Sequence, residues 1–545
     1  MSANIKQDHF HRAALEIGQG GENDTLPYDV DAQFVKDNAG NLAAICFGLF
    51  QSVEARPKKQ ALDLMSGLNI GSERLLTATG SHGFRITTKI HPFWNLYLNG
   101  LGIGIAEANE GRRSHRVHSY RLSSDENSFF DKGKSWRAYK EATLSDPVIE
   151  EAGAVVVQTD ISSFYEHIYH HRLENCIDDI FGESSTVSMQ VDRILSKIAS
   201  GRSFGLPVGG QCARILAEAM MTPIDASLSD AGLVWHRYVD DFTLICADQQ
   251  NAYRALSTLS HALADVGLSL NRTKTTILSA KHYGDFVRAQ LGEGEQASIA
   301  LRELDLHFDP YSDAAQSDYR KLKESFEAID IQFLLDLERE KSQPDTFVLA
   351  QISRSLKFQD PKTALQLCAT LLDSKNLDAF RASWSKIMRG VYAVRALAEF
   401  KIVHEHIDEL LDKIPAEASH LLTPETNMLH YLRIARFKRT EPRGKFVRQT
   451  YDQTSSQSVR RACIDCWGYW GDRGSFTRLR NQWQNLSADE QRMLWLAAGR
   501  FGDEGEHAKK QLRRTLEQVW QIGFEDDGQG PTFASLYRDW ANNAK

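Results

Sequence analysis

Asp240 and Asp241 stand side by side in the stretch His236-Arg237-Tyr238-Val239-Asp240-Asp241-Phe242-Thr243. Adjacent carboxylates repel, so a chain that holds two of them together calls for a cation between them. Carboxylate oxygens are hard ligands suited to Mg2+. A third carboxylate, Asp160, closes the run Gly153-Ala154-Val155-Val156-Val157-Gln158-Thr159-Asp160. Three such ligands can hold the metal ions that activate a hydroxyl nucleophile and neutralise a phosphoryl leaving group. Taken singly, each has a plainer use. An isolated Asp-Asp is usually an acidic turn, and Asp160 could cap the helix that follows, with Ser162 and Ser163 as rivals.

The elements around these residues favour the chemical use. Leu233, Val234 and Trp235 precede the acidic pair, and Phe242, Thr243, Leu244 and Ile245 follow it. β-Branched and aromatic residues form strands, whereas Asp-Asp favours a turn, so the pattern predicts a hairpin with both aspartates at its tip. The apolar run 153–159, bounded by Gly, predicts a buried strand that delivers Asp160 at its end. Phe204-Gly205-Leu206-Pro207-Val208-Gly209-Gly210 predicts a fixed loop with close backbone approach, followed by a helix with Cys212, Leu216 and Ala219 on one face. Residues 251–266 predict an amphipathic helix with Tyr253, Leu256, Leu259 and Leu263 inward. Gly267–Leu278 predicts two short strands around a turn at Asn271-Arg272, with Lys274 either on the surface or facing the site.

Upstream, Arg112-Arg113-Ser114-His115-Arg116 and Lys132-Gly133-Lys134-Ser135-Trp136-Arg137 are basic clusters. They form either a solvated face or a set of cations placed for phosphates. Phe93, Trp94 and Tyr97 lie at helical spacing as core, and Ala43–Phe50 is an apolar stretch that packs on the next domain. The chain's 545 residues and ordinary apolar and charged fractions imply a multidomain globular protein. A net charge of −8 excludes a uniformly basic nucleic-acid coat, so a polyanion needs a local basic groove. Seven scattered cysteines imply no disulfide framework and a reducing cytoplasm. Cys463 and Cys466 are expected in a helical core rather than in a zinc site. No apolar run is long enough to span a membrane.

Gly292-Glu293-Gly294-Glu295-Gln296 is the expected domain boundary, and beyond about residue 312 the pattern is almost wholly helical. Trp470-Gly471-Asp472-Arg473-Gly474 recurs as Phe501-Gly502-Asp503-Glu504-Gly505, 31 residues on, with a capping box at Ser487–Glu490 between the copies. The echo predicts stacked helical hairpins.

The order and spacing of these segments resemble the reverse transcriptases over roughly residues 85–285. Tyr238-Val239-Asp240-Asp241 matches the family's Tyr-x-Asp-Asp box. Asp160 with Tyr165 is similar to the first palm motif, in which the aromatic ring blocks a ribose 2′-OH. Leu206-Pro207-Val208-Gly209 resembles the Leu-Pro-x-Gly motif that contacts incoming nucleotide and template. Gly267–Asn271 with Lys274-Thr275 looks like the next palm motif. Ser119-Tyr120-Arg121 and Trp136-Arg137 resemble fingers motifs that grip the triphosphate. Within the family the resemblance is closest to bacterial abortive-infection and defence-associated enzymes, through Asp160–Tyr165, Leu216-Ala217-Glu218, and Asp309-Pro310-Tyr311-Ser312 opening a long helical tail in place of a thumb. The chain departs from these relatives at Gly210 and Cys212-Ala213, where they often carry Pro and a downstream Ser, which bears on the template grip.

The resemblance implies an α+β right-hand polymerase (fingers and palm) followed by an all-α, HEAT-like C-terminal region. It divides the chain into an N-terminal extension (1–84), fingers (85–153), palm (154–291) and helical domain (300–545). It implies catalytic Asp160, Asp240 and Asp241, with Mg2+, or Mn2+ in its place, held by these and by Ile161. Arg121, Arg137, Tyr165, Val208, Gly209 and Lys274 would bind dNTPs, and Pro207 and Tyr238 would meet template and primer. The implied function is a reverse transcriptase-type DNA polymerase in phage defence. It would be templated by RNA or a noncoding RNA, or untemplated, with self-association or a partner defence protein. The alternatives are a catalytically idle scaffold and a retron-like or intron-type enzyme.

Overall fold

Apolar spacing of three and four residues makes the first part of the chain helical. The computed structural model describes residues 4–80, 82–123, 130–131, 133–291, 330–341, 343–524 and 530–543. It begins with helices α1 (Gln7–Gly20), α2 (Val30–Asp37), α3 (Ala39–Glu54) and α4 (Lys58–Gly67), followed by an antiparallel hairpin of β1 (Ser72–Thr79) and β2 (Gly83–Ile90). Residue 84, expected as the end of the extension, lies inside β2. Helix α5 (Pro92–Asn109) carries Phe93, Trp94 and Tyr97, all fully buried as expected. The expected boundary at Gly292–Gln296 and the Asp309–Ser312 motif lie outside the described residues.

Next come α6 (Trp136–Leu144), β3 (Val155–Asp160), α7 (Phe164–His167), α8 (His170–Phe181), α9 (Val187–Ile198) and α10 (Gln211–Asp230). They are followed by β4 (Val234–Tyr238), β5 (Asp241–Cys246), α11 (Gln249–Ala264), β6 (Thr276–Ser279) and α12 (Ala280–Leu291). The strands form one antiparallel sheet in the order β4-β5-β3-β6. The expected hairpin is β4–β5, and the expected buried strand is β3, at its side.

Two expectations fail locally. Tyr253 is 75% exposed, because the inward face of α11 runs through Ala252, Ala255, Leu259 and Leu263. Only one of the two strands expected over 267–278 forms, as β6. Leu270 makes a single bridge to Ile161, and Asn271 then turns the chain, its side chain accepting from the backbone N–H and hydroxyl of Thr273.

From Ile331 onward the described residues are helical. Helices Thr346–Ser355, Trp384–Ala396, Glu425–Ala435, Gln457–Trp470 and Ala488–Ala498 pack each on the next. A second row, Pro361–Leu372, His404–Glu417 and Glu441–Gln453, lies against them. The glycines of the sequence echo, Gly471 and Gly502, both adopt left-handed backbone at a helix boundary, and Asp472 caps the next helix through the Ser475 N–H. Cys463 and Cys466 are buried in the Gln457–Trp470 helix, at the helical core positions expected.

The helical region closes back on the start of the chain. Glu73 of β1 accepts from the Gln457 and Ser458 N–H groups at a helix N-terminus. Arg461 pairs with Asp29 and Asp31, Lys89 pairs with Asp29, and Tyr537 donates to Asp31. One contiguous apolar core therefore runs from Ile5 to Ala541.

Candidate active site

The hairpin puts Asp240 in its turn and Asp241 at the first position of β5, directly opposite Asp160 at the end of β3. The turn is strained, since Val239, a β-branched residue, has φ +59. Its conformation is held from both sides. The Val239 N–H donates to Ser119 Oγ (2.9 Å), and its carbonyl accepts from Arg237 Nη1 (2.7 Å). Arg237 is fully buried and grips two carboxylates, Asp225 (2.6 and 2.9 Å) and Glu218 (2.9 and 3.2 Å), both on α10. Glu218 also accepts from Arg113 (2.8 Å) and Ser119 (2.6 Å). Burial alone would push the Glu218 carboxyl up, but Arg237 and Arg113 hold it below its usual value.

The basic segment reaches this network because it lies along β4. Arg237 N–H donates to the Arg116 carbonyl, and His118 N–H donates to the Arg237 carbonyl. On the other side, Ile161 N–H donates to the Asp240 carbonyl (3.2 Å) and Asn271 N–H to the Asp160 carbonyl (2.8 Å). Backbone bonds thus fix all three carboxylates relative to one another. Asp160 is not a helix cap. The N-cap position of α7 is Ser163, with left-handed backbone.

The electrostatics are those of crowded anions. Burial pushes the Asp240 carboxyl up to about 6, with Asp241 and then Asp160 adding to the effect. Asp241 is raised by burial and by Asp160, against the pull of Lys140 and Lys274. Lys274 Nζ donates to Asp160 Oδ2 (2.5 Å), while Asp160 Oδ1 is buried without a hydrogen-bond partner. Among the described residues no three His, Cys, Asp or Glu side chains close into a formed metal cage. The set still fits a hard divalent cation. All its donors are carboxylate oxygens, one of them is orphaned, and an ammonium already stands in for positive charge.

Beside the carboxylates lies a cluster of tyrosines. Tyr165 neighbours Tyr120, and burial followed by the neighbouring Tyr120 pushes its phenol up. Tyr238 is half-buried, its ring stacked on Tyr139 at 6.0 Å. Arg214 of α10 lies 5.2 Å from the Tyr120 ring. The Gly-Pro loop attaches directly, with Leu206 N–H donating to the Tyr165 carbonyl (2.8 Å). Pro207 and Val208 are buried, and the Val208 carbonyl accepts from Asn23 (2.9 Å). Gly209 has φ +100, and a Cβ there would stand 2.1 Å from Asn23 Oδ1. Gly209→Ala is therefore expected to destabilise the protein by about 1–3 kcal/mol. Urea denaturation beside wild type checks this, and an unchanged midpoint would show that the N-terminal extension does not press on the loop.

Residues 121–305 match the family model described as reverse transcriptase (RNA-dependent DNA polymerase). The chain carries a reverse transcriptase domain. That domain indicates RNA-directed DNA polymerase activity, a nucleotidyl transfer that uses dNTPs and a nucleic-acid template. Among solved structures, apo telomerase from Candida tropicalis aligns at 12% identity and a TM-score of 0.30, covering 67% of this chain and 68% of that one. Telomerase from Candida albicans in complex with the TWJ fragment of telomeric RNA aligns at 12% identity and 0.31, covering 72% and 67%. No curated protein matches the chain. No helix among the described residues is long and apolar enough to cross a membrane.

Within the reverse transcriptase domain, Asp160, Tyr165, Tyr238, Asp240, Asp241 and Lys274 gather at one place. Ile161 is buried beside them, its N–H taken by Asp240. The two arginines expected at the triphosphate are engaged elsewhere. Arg121 pairs with Glu110 (2.6 Å), and Arg137 is 55% exposed and pairs with Glu141 one turn along α6 (2.8 Å). The α6 cation that faces the carboxylates is Lys140, which is buried, lies 4.8 Å from the Tyr139 ring, and is pushed down to about 8 by burial against the pull of Asp241. Lys140, Arg237, Glu218 and Arg113 carry no motif signal for these roles. An available hint was helical spacing, since Trp136 and Lys140 are one turn apart. Arg113 and Ser119 hold the hairpin although both precede the matched segment.

Proposed function

We propose that this chain is a reverse transcriptase-type DNA polymerase in which Asp160, Asp240 and Asp241, with the Ile161 carbonyl, hold divalent metal. The observation that carries the reading is the cross-strand pair Asp160–Asp241, with Asp240 held in a strained turn beside it. Mg2+, or Mn2+ in its place, would supply Lewis acidity and offset the charge of a triphosphate. Lys140 and Lys274 add positive charge at the same point. Arg121 and Arg137 join them by exchanging Glu110 and Glu141 for phosphate oxygens. Pro207, Val208 and Gly209 shape the floor on which nucleotide and template lie, and Tyr238 meets the primer. The strain retained at Val239 supports an active enzyme over an idle scaffold, because strain persists where it serves a site. Incorporation of labelled dNTPs by the purified protein tests this. Complete inactivity with every template, and with none, would favour the scaffold.

The role in phage defence rests on the resemblance of Asp160–Tyr165 and Leu216–Glu218 to defence-associated enzymes. The division into residues 1–84, 85–153, 154–291 and 300–545 follows the same resemblance. The two packed rows of helices support a HEAT-like tail, and exposed Phe333 and Ile402 support its use in self-association or partner binding. Seven free cysteines support a reducing, cytoplasmic setting. Phage plating on cells carrying wild-type or Asp241→Asn protein tests defence. Sequencing of copurified nucleic acid separates RNA-templated, noncoding-RNA-templated and untemplated synthesis.

Tyr165 is proposed to exclude ribonucleotides. Its phenol feels the charge of Asp240, and its backbone carbonyl accepts from Leu206 of the Gly-Pro loop, which supports a place for the ring where a 2′-OH would meet it. Tyr165→Ala is expected to raise ribonucleotide relative to deoxyribonucleotide incorporation by about tenfold or more, the scale on which a pocket rejects one extra group. Competition between the two nucleotide types reads it out, and an unchanged ratio would take Tyr165 out of this role.

A further inference from the structure

A short ladder ties the Gly-Pro loop to the segment that carries Tyr165. Tyr169 and Phe204 form an antiparallel bridge, with their rings 6.2 Å apart. Around it, the His170 N–H donates to the Ser203 carbonyl (3.0 Å), the Gly205 N–H to the Ile168 carbonyl (2.9 Å) and the Leu206 N–H to the Tyr165 carbonyl (2.8 Å). Gly205 breaks the regular pattern. Its φ is +93, a left-handed backbone that favours glycine, and a Cβ there would stand 3.4 Å from the Glu166 carbonyl oxygen. Among the described residues no backbone N–H donates to the Gly205 carbonyl. The His170 side chain, at the first position of α8, supplies the donor instead, with Nε2 at 2.8 Å.

A carbonyl only accepts, so Nε2 carries the proton and Nδ1 is the bare nitrogen of a neutral ring. Burial pushes the imidazole down, which favours that neutral form. His170 is 1% exposed, and its Nδ1 is buried without a hydrogen-bond partner among the described residues. A buried nitrogen left unpaired costs stability. Packing at the start of α8 therefore does not account for a histidine here, whereas the bond to Gly205 does. The consequence is geometric. Tyr165 lies at one end of the tied segment, and Pro207, Val208 and Gly209 follow directly on the other side of the tie. The loop also borders an open cleft of about 790 Å3, which gives it room to shift once the tie is lost.

We propose that His170 is a positioning residue for sugar selection, because its bond to the Gly205 carbonyl sets the gap between Tyr165 and the Gly-Pro loop. A ribose differs from a deoxyribose by one hydroxyl. A pocket rejects one extra group only while its walls cannot move apart, and a wall is as precise as the shell that supports it. His170 touches neither nucleotide nor metal in this role and acts through the loop. The inference rests on the reading of Tyr165 as the residue that meets the 2′-OH.

Two variants of the full chain separate this role from packing. His170→Met keeps a side chain of similar volume and loses the donor, whereas His170→Gln places an amide N–H where Nε2 stands. In competition between the two nucleotide types, His170→Met is expected to raise ribonucleotide relative to deoxyribonucleotide incorporation by about threefold or more, the scale of one lost hydrogen bond. His170→Gln is expected to keep the wild-type ratio. In the Tyr165→Ala background His170→Met should add nothing to the ratio, because the wall it positions is gone. Hydrogen exchange without nucleotide reads the tie directly. Exchange over residues 164–170 and 203–209 should quicken together in His170→Met, while β3 exchanges as in wild type. If His170→Met does not fold, His170→Asn, whose amide stops short of Gly205, gives the same readouts. Wild-type exchange in the donorless variant, a wild-type ratio, or the same rise in the Tyr165→Ala background would overturn the proposal. Failure of the polymerase reading shows separately, as a wild type that incorporates neither nucleotide. The ratio is then taken from equilibrium binding of dATP and ATP. A preference for dATP that His170→Met lowers supports the positioning role, and equal preference in wild type and variant overturns it.

Discussion

Asp240→Asn and Asp241→Asn are each expected to slow dNTP incorporation by about 10³-fold or more. Losing a ligand from a metal site removes several kcal/mol of transition-state stabilisation, and each 1.36 kcal/mol is tenfold in rate. The fold should not suffer. Burial first, and then the neighbouring Asp241 and Asp160, raises the Asp240 carboxyl from 3.8 to about 6. A raised carboxyl favours the native state while it is protonated. Its contribution is therefore present below pH 3.8 and lost as pH rises through about 6. In chelator, that loss amounts to on the order of 2–3 kcal/mol. An asparagine side chain has no proton to lose, so Asp240→Asn should melt higher than wild type at about pH 7 and show a flatter stability profile between about pH 4 and 6. Added Mg2+ should raise the melting temperature of wild type by binding the native state only, and do so less in either variant. A variant that keeps wild-type incorporation would remove the carboxylates from catalysis. A variant that melts lower than wild type would mean that they are not crowded in the way described.

Arg237→Met is expected to cost about 3–5 kcal/mol, a large part of a domain's stability of roughly 5–15 kcal/mol. The side chain is fully buried, and removing it strands Asp225 and leaves Glu218 with only Arg113 and Ser119. It also removes the hydrogen bond to the Val239 carbonyl that holds the strained turn before Asp240. Activity per folded molecule should fall as well, because the hairpin tip can relax. Arg237→Lys keeps the charge but not the forked geometry, so it should fall between wild type and Arg237→Met. Urea denaturation followed by tryptophan fluorescence measures the first effect, and incorporation normalised to folded protein measures the second. A midpoint for Arg237→Met equal to wild type would show that the buried network contributes nothing net.

The strand at 155–160 and the hairpin at 234–246 were legible in the sequence because their side chains are buried in a way that local chemistry announces. β-Branched and aromatic runs end in carboxylates, and a sheet buries such runs. The helical region was legible for the same reason, at the period of a helix. The failures are local competitions that periodicity does not resolve. Tyr253 satisfies a helical stripe, yet Ala252 and Ala255 are the residues that are buried. Asn271 ends a strand early because its side chain bonds to Thr273.

The sequence by itself determined which side chains the candidate site can draw on. Asp160, Asp240 and Asp241 are carboxylates whatever surrounds them, and Tyr165, Lys274 and the Gly-Pro loop follow at family spacing. Only the tertiary structure decided which charges meet. Arg121 and Arg137 looked equivalent to Lys140 as cations, but the fold gives the first two to Glu110 and Glu141 and turns Lys140 toward Asp241. Arg237 looked like a strand residue beside an acidic turn, and packing on α10 made it the support of that turn. Asn23 and Asp24 carried no signal, yet one fixes Gly209 and the other joins Arg214 to the helical region. The physical reason is that a side chain's type sets what it can do. The choice among partners is made by long-range contacts, here between residues far apart in the chain, which no local pattern encodes.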